Sequence, residues 1–207
     1  SHDVFMRSVD VLQTGKLRKA ARSSIEKRMV LFVLKFKAEL EGIAKVSVNP
    51  TATLCINVAN PLSDYEVREN VVIDPTEFVE QDQGSRESLH HFQLKWQGNP
   101  KPATLTVLSE KEAKSVLKKN KRKDQVLPRD YTTNDSGDIV PILMVECRGL
   151  APTKFTAGSC SFLIIESEGG TTFDDDVDVS EGDWADYDAD HDLPVSMSEV
   201  EFQWEAV

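Results

Sequence analysis

The stretch Glu39-Leu40-Glu41-Gly42-Ile43-Ala44 recurs 107 positions later as Glu146-Cys147-Arg148-Gly149-Leu150-Ala151, so both share the pattern E-x-x-G-[I/L]-A. Each copy follows a segment of alternating apolar residues and precedes a second strand-like segment. A glycine between two such segments is typical of a tight turn. The repeat therefore predicts two halves of similar topology, each built around a strand, a glycine turn and a return strand.

Alternation of polar and apolar residues predicts a fold that is mainly β. Leu34, Phe36, Ala38 and Leu40 alternate with charged residues, as in a strand with one wet face. We expect two similar antiparallel halves packed together, residues 29–108 and 138–207, joined by a basic helix and loop over 109–137. Further strands are expected near residues 52–58, 65–73, 90–97, 103–108, 139–147, 161–166 and 198–205.

One short helix is predicted between the halves. Ser109 and Glu112 have the spacing of a capping box and precede Ala113, Val116 and Leu117, which indicates a helix over residues 110–119. The basic run that follows, residues 118–123, has neither apolar spacing nor aromatic residues. We therefore interpret it as a solvated loop rather than as a nucleic-acid site.

The first 28 residues form a basic segment with helical periodicity. Seven basic and three acidic side chains give it a charge of +4, which leaves −15 on the remainder of a chain whose net charge is −11. The two parts should attract each other. The apolar side chains of the predicted amphipathic helix are Phe5, Val9, Leu12, Leu17, Ala21 and Ile25.

Three interpretations of residues 1–28 are open. The segment is a native extension, a mitochondrial presequence, or a foreign peptide joined by cloning ahead of a natural start at Met29. Asp3 and Asp10 argue against a presequence, because such sequences avoid acids, and Ser1-His2 resembles a cloning scar. In the third case the segment is a tethered partner peptide.

Composition favours an intracellular chain. The longest apolar run, residues 29–34, is too short to span a membrane. Cys55, Cys147 and Cys160 show no C-x-x-C spacing, which speaks against a disulfide framework and for a reducing compartment. We expect a monomer in the cytoplasm.

Catalytic and metal motifs are few. The sequence contains no G-x-S-x-G and no phosphate-binding glycine loop, so we do not expect an enzyme. A calcium loop starting at Asp186 would need Gly at its sixth position and Glu at its twelfth, but these are His191 and Met197. His90 and His91 are adjacent and should point to opposite faces of a strand. We predict no bound metal and no cofactor.

The C-terminal half resembles a known family. The quoted motif Glu146-Cys147-Arg148-Gly149-Leu150 and the later run Asp183-Trp184-Ala185-Asp186-Tyr187-Asp188 together resemble the CXXC-motif-containing zinc-binding proteins, a small eukaryotic family of poorly defined role. The resemblance extends over residues 29–207. It implies two C-x-x-C knuckles that hold one tetrahedral zinc ion.

The cysteines of those knuckles are replaced in this chain. The resemblance places Ile56 and Ala59 at the first knuckle and Trp96 and Asn99 at the second. Cys55, one position away, cannot build a zinc site alone. Trp96 should pack between the hairpins, although an exposed aromatic anchor for a partner would also fit.

Three functions compete. The first is a non-enzymatic interaction module, a zinc-free relative of that family, that binds a basic amphipathic helix or peptide of a protein partner. The second is metal handling through other ligands, such as Cys55, His90 and His91. The third is a small-molecule or hydrolytic site between the halves, for which the sequence shows no acid/base pair.

Overall fold

The computed structural model describes residues 29–80, 88–119, 126–157 and 161–207, to which every structural statement below refers. The predicted helix in residues 1–28, most of the basic run that follows residue 119, and Cys160 lie outside them. The described residues are mainly β, as predicted, and contain one α-helix, α1 (Glu110–Lys119). The strands are β1 (Met29–Glu41), β2 (Ile43–Val48), β3 (Leu54–Ala59), β4 (Val67–Ile73), β5 (Phe92–Leu94), β6 (Ala103–Leu108), β7 (Tyr131–Thr132), β8 (Val140–Arg148), β9 (Ala151–Thr156), β10 (Leu163–Ser167), β11 (Thr172–Phe173), β12 (Trp184–Asp188) and β13 (Leu193–Ala206).

The strands form three antiparallel sheets. Sheet A has the order β12-β13-β1-β8-β6-β5, sheet B the order β11-β10-β2-β7, and sheet C the order β4-β3-β9. Every sheet combines strands from both halves of the sequence. The two halves are therefore similar in topology, as predicted, but they exchange strands rather than form separate units.

An approximate two-fold axis relates the halves. If β1 to β6 correspond to β8 to β13, then sheet A maps on to itself and sheet C maps on to β11-β10-β2 of sheet B. The axis lies between β1 and β8, which pair antiparallel with Leu34 opposite Leu143. The first strand of each half is thus the neighbour of the other at the centre of the molecule.

The repeated glycines make the same turn in each half. Gly42 separates β1 from β2 with φ +67°, and Gly149 separates β8 from β9 with φ +68°. This left-handed conformation is strained for residues with a Cβ atom, which explains the glycine at both positions. At Gly42 space matters as well, because a Cβ atom would lie 2.2 Å from the carbonyl oxygen of Pro194.

A continuous apolar core fills the space between the sheets. The inward side chains of the central strand β1, Leu34, Phe36 and Ala38, are fully buried. Phe36 meets the ring of Tyr131 edge to face at 4.9 Å, and the Tyr131 hydroxyl donates a 2.7 Å hydrogen bond to the carbonyl of Ala38. The apolar residues whose alternation predicted β1 therefore face this core, and the residues between them lie on the opposite face of the sheet.

Helix α1 covers part of that opposite face. The Ser109 hydroxyl donates a hydrogen bond to the Glu112 carboxylate at 2.6 Å, and the backbone amide of Glu112 donates to the Ser109 hydroxyl at 3.5 Å. The predicted capping box is therefore present. Ala113 and Leu117 pack on Leu31, Val33 and Met144 in a second, smaller cluster. Within the described ranges no helix is long and apolar enough to cross a membrane.

A pair of glycine substitutions tests the close approach at Gly42. We expect Gly42→Ala to cost about 2–5 kcal/mol, the sum of left-handed strain and overlap with the Pro194 carbonyl. Gly98→Ala, where φ is +77° and the space is open, should cost only about 1–2 kcal/mol. Urea unfolding of both variants measures the difference, and equal costs would show that Gly42 is required for its backbone angle alone.

Candidate functional site

Trp96, one of the two residues at the second predicted knuckle position, is part of the core. Its ring is 1% exposed, and its Nε1 donates a 2.7 Å hydrogen bond to the carbonyl of Gly149. The guanidinium of Arg68 lies 5.7 Å from the ring centroid, a cation–π distance. Of the two positions expected for Trp96, the structure therefore shows the packed one, against the glycine turn of the other half.

Two tight turns meet beside this ring. The amide of Ser63 donates to the carbonyl of Asn60 at 3.0 Å, and the amide of Asn99 donates to the carbonyl of Trp96 at 3.2 Å. Both turns span the i, i+3 spacing of a C-x-x-C knuckle. The second turn coincides with the predicted positions Trp96 and Asn99, whereas the first lies at Asn60–Ser63 rather than at Ile56 and Ala59.

The Glu66 carboxylate joins the two turns. One oxygen accepts from Asn60 Nδ2 at 2.5 Å and the other accepts from the amide of Gln97 at 3.3 Å. Asn60 is 5% exposed, and its Oδ1 accepts from the amide of Leu62 at 3.0 Å. Side-chain hydrogen bonds therefore connect the strand pair of sheet C to the turn that follows β5 of sheet A.

The four residues at the predicted knuckle positions do not converge on one point. Ile56 and Ala59 lie on β3, where burial alternates along the strand, so Ile56 faces the core and Ala59 faces away. The turn begins one residue beyond Ala59, at Asn60. Asn99 is half-buried at the end of the second turn.

The residues at this place do not fit a structural zinc ion. A tetrahedral zinc site needs thiolate, imidazole or carboxylate ligands, whereas the turns offer Asn60, Ser63, Trp96 and Asn99. The Trp96 ring can only donate a hydrogen bond, and it already does so. No group of three or more His, Cys, Asp or Glu side chains suited to a metal occurs in the part of the chain that the structure describes.

Of the three alternative ligands in the metal hypothesis, the two histidines are hydrogen-bonded to other groups. Both ring nitrogens of His90 have partners, the Ser88 carbonyl at 3.1 Å and Gln93 Oε1 at 2.9 Å. His91 accepts from the amide of Val107 at 2.9 Å through Nδ1, and burial lowers its pKa. Cys55 is a half-buried residue of β3.

The family-signature residues of β8 have structural contacts. Arg148 donates to the Glu146 carboxylate at 2.9 and 3.1 Å, and Leu150 is buried. Cys147 is fully buried, and burial raises the pKa of its thiol well above the usual range. A thiol held in its protonated form is a poor nucleophile.

The later signature residues belong to β12, a strand that the sequence did not predict. Trp184 meets the ring of Phe173 edge to face at 5.4 Å. Asp186 accepts from the amide of Tyr187 at 2.7 Å, and the Tyr187 hydroxyl donates to Asp192. Asp186 and Tyr187 are both exposed on this edge strand.

Sequence reasoning missed a polar cluster at the end of β12. The fully buried carboxylate of Asp188 accepts from the Ser167 hydroxyl at 2.6 Å, from the Thr171 hydroxyl at 2.8 Å and from His191 Nδ1 at 3.0 Å. Burial alone would raise the pKa of this carboxyl, but the three hydrogen bonds lower it to about 2. The Ser167 hydroxyl donates its hydrogen bond to the Asp188 carboxylate and not to the His191 imidazole. These residues therefore do not have the arrangement of a Ser-His-Asp catalytic triad.

A cavity of about 350 Å³ opens beside the N-terminus of α1. A bulge in β8 forms part of it, because Leu34 pairs with Leu143 and Lys35 with Pro141, which leaves Ile142 unpaired. Ile142 and Leu143 are each 9% exposed here. The lining residues are Val48, Leu108, Glu110, Ala113, Pro128, Arg129, Asp130, Ile142, Leu143 and Met144.

The rim of this cavity is polar and carries two carboxylates, of which Asp130 also acts on Lys45 and raises its pKa. Glu110 pairs with Lys114 along the helix, and the side chain of Asp130 is exposed. The guanidinium of Arg129 donates to both oxygens of Asp135 at 2.6 and 2.7 Å, which holds the pKa of that carboxyl well below its usual range. The positive charge of Arg129 is therefore balanced within the protein.

These observations define a class of protein: two interleaved antiparallel β halves, with two tight turns packed against a buried tryptophan. The model of the family described as CXXC motif containing zinc binding protein, eukaryotic, matches residues 33–205. The chain belongs to this family.

Curated relatives match over part of their length. The Drosophila melanogaster protein UPF0587 protein CG4646 is 36% identical over 69 residues, which are 33% of this chain and 41% of that protein. The Homo sapiens CXXC motif containing zinc binding protein is 34% identical over 76 residues, 37% of this chain and 46% of that protein. The aligned region thus spans less than half of each relative.

Solved structures show the same fold over nearly the whole chain. A hypothetical protein from Plasmodium falciparum has a TM-score of 0.68 at 22% identity, covering 84% of this chain and 99% of that one. The crystal structure of C1orf123 also has a TM-score of 0.68 at 22% identity, covering 86% of this chain and 99% of that one.

Replacement of Trp96 tests its role in the core. Trp96→Ala should lower the free energy of unfolding by about 3–5 kcal/mol, because it leaves a large cavity between the turns and β8. Trp96→Phe keeps most of the ring but leaves the Gly149 carbonyl unpaired, at a cost of about 1–3 kcal/mol. Denaturant unfolding gives both values, and a stable Trp96→Ala variant would exclude a core role.

The fall in the free energy of unfolding at acid pH tests the role of Asp188. Its folded pKa of about 2 lies below the ordinary value of 3.8, so its contribution is complete above pH 3.8 and is lost as the pH falls toward 2. Asp188→Asn should lower stability at pH 7 and should flatten the change between pH 4 and pH 2. Chemical unfolding at several pH values measures this, and parallel curves for both proteins would contradict it.

Proposed function

We propose that this chain is a non-enzymatic interaction module that binds a basic amphipathic helix or peptide of a protein partner. The observation that carries the proposal is the cavity at the β8 bulge, which combines an apolar floor with acidic groups on its rim. An amphipathic helix could place an apolar side chain over Ile142 and Leu143 and a basic side chain near Asp130. Apolar contact would supply affinity and charge would supply orientation.

The neighbouring helix supports this choice of ligand. Helix α1 has lysines in its last turn, packs its apolar side on sheet A, and forms one wall of the cavity. A second groove of about 230 Å³ lies along α1 and is lined in part by Leu89, Val116 and Glu146. The face beside the cavity therefore already accommodates one amphipathic helix.

Charge supports the same class of partner. Residues 174–207 contain 13 Asp and Glu residues and no Lys or Arg. Lys35 and Lys37 of β1 pair with Glu205 and Glu199, and the acids that remain leave this region with an excess of negative charge. Such an excess increases the rate of encounter with a basic ligand, and salt screens it. A basic peptide should therefore bind faster and more tightly at low ionic strength.

The chain itself contains a peptide of the proposed class. Residues 3–28 carry a net charge of +4 and the apolar pattern described above. We propose that this segment, or a partner segment like it, is the ligand, in a protein of the reducing cytoplasm. The zinc-handling alternative would need the knuckle ligands or the engaged histidines described above, and the contacts of those residues favour the interaction module.

Titration with a synthetic peptide of residues 3–28 tests the proposal. The labelled peptide is added to a protein that begins at Met29, and fluorescence anisotropy gives the Kd. We expect saturable binding that weakens as salt is added. The intact chain should bind the peptide more weakly if its own segment occupies the site.

Two charge reversals make this test specific. Asp130→Lys should weaken binding about fivefold, roughly 1 kcal/mol, because it reverses the charge at the cavity rim. Asp190→Lys is the matched control, since it changes the net charge equally at an exposed turn between β12 and β13. It should reduce the binding free energy by less than half of the amount that Asp130→Lys does. Equal effects would place the ligand elsewhere, and no binding to the protein that begins at Met29 would contradict the proposed ligand class.

A further inference from the structure

Each half of the molecule uses one carboxylate to connect two sheets. In the first half Glu66 binds Asn60, at the end of β3 in sheet C, and Gln97, in the turn after β5 of sheet A. In the second half Asp188, the last residue of β12 in sheet A, binds Ser167, the last residue of β10 in sheet B. Glu66 and Asp188 thus have the same role, a carboxylate that connects two sheets, although they occupy different positions in their halves.

The turns around the two carboxylates correspond under the approximate two-fold axis. Ser167 follows Asn60 by the same 107 positions that separate the two repeated glycine motifs. The backbone amide of Asn60 donates to the carbonyl of Glu66 at 2.9 Å. The backbone amide of Ser167 donates to the carbonyl of Thr171 at 2.8 Å. The two amide bonds have the same role, closing the base of a hairpin.

A second turn in each half also corresponds. Asn99 donates to the carbonyl of Trp96 at 3.2 Å, and His191 donates to the carbonyl of Asp188 at 3.3 Å, each through its backbone amide. Asp188 therefore occupies the position of Trp96 and His191 that of Asn99. One half fills this place with an indole ring and the other with a buried, hydrogen-bonded carboxylate.

The Asp188 cluster is closely built. Ser167 Oγ donates to Asp188 and accepts from the amide of Thr171 at 3.0 Å, so it connects strand, loop and carboxylate. A Cβ atom added at Gly169 would lie 2.4 Å from His191 Cγ and 2.6 Å from Asp188 Oδ2. A side chain at position 169 would force the cluster apart.

Strand β12 has few other connections. It is the edge strand of sheet A and pairs only with β13 within the described part of the chain. It also lies in the region that holds 13 acids and no Lys or Arg, where like charges repel. A connection made by hydroxyl and imidazole donors holds such a strand without placing a Lys or Arg there.

We propose that Ser167, Thr171, Asp188 and His191 form a carboxylate clamp that fastens the acidic edge strand β12 to sheet B, the second-half counterpart of the Trp96 and Glu66 contacts. The clamp keeps Asp186 and Tyr187 ordered at the edge of sheet A while their charges and ring remain exposed. It is a conformational device, since its opening would free this edge without breaking the pairing of β1 with β8.

Hydrogen exchange of the intact 207-residue chain, followed by mass spectrometry, tests the clamp. Thr171→Val removes one donor from Asp188 with little change in shape, and Thr172→Val removes the exposed neighbouring hydroxyl as the matched control. We expect Thr171→Val to speed exchange of the amides in residues 184–188 and 171–173 at least tenfold. The amides of β1 and β8 should be unchanged, and Thr172→Val should resemble the original protein.

Gly169→Ala is the second variant, because it retains every donor and acceptor of the clamp and only inserts a methyl group. Faster exchange confined to the same two segments would support the clamp. Unchanged exchange in both Thr171→Val and Gly169→Ala would overturn it. Faster exchange spread equally over all strands would also overturn it, because Asp188 would then stabilise the whole core rather than one edge.

Discussion

The antiparallel pairing of β1 with β8 is the constraint on which the rest of the structure depends. These strands begin the two halves of the chain, and their contact places the approximate two-fold axis between Leu34 and Leu143. Each then turns at a glycine, which sends β2 to β10 in sheet B and β9 to β3 in sheet C. Because the second strand of each half pairs with the other half, neither half completes its sheets alone. The core between the sheets is therefore shared.

The proposed function depends on what this exchange of strands leaves at the surface. The bulge that interrupts the pairing of β1 with β8 exposes part of Ile142 and Leu143 at the floor of a cavity beside α1. Toward one edge of sheet A, β12 and β13 lie in a stretch of sequence that contains 13 acids and no Lys or Arg, and two of these acids pair with Lys35 and Lys37 of β1. The turns at the predicted knuckle positions are filled by Trp96 and by the hydrogen bonds of Glu66, so we look for a ligand at the cavity and at the acidic strands instead.

Much of the fold could be predicted from the sequence because its signals are local. The alternation in β1, the capping box of Ser109 with Glu112, and the two repeated glycines each depend on neighbouring residues. Strands β7 and β11 were missed because two residues carry no alternation, and β12 was missed because its sequence is acidic and exposed. The exchange of strands between halves is set by register over long separations, which spacing along the chain does not reveal.

The candidate sites were less predictable for the same reason. Trp96 was expected to pack between the hairpins, and it does, but its partner Gly149 is 53 residues away. The residues of the Asp188 cluster showed no metal or catalytic spacing, since Ser167 and Asp188 meet only after β10 and β12 are placed. The cavity depends on one unpaired residue in β8, and the only local signal for this bulge is Pro141, because proline in a strand paired on both sides is found at bulges.

The central claim is that the cavity at the β8 bulge binds a basic amphipathic peptide. The most direct measurement is methyl NMR of a protein that begins at Met29, recorded while the peptide of residues 3–28 is added. We expect saturable chemical-shift changes at the methyl groups of Ile142, Leu143 and Met144, with little change at Val195 in the buried part of β13. Unchanged cavity methyl groups at saturating peptide, or shifts confined to residues away from the bulge, would contradict it.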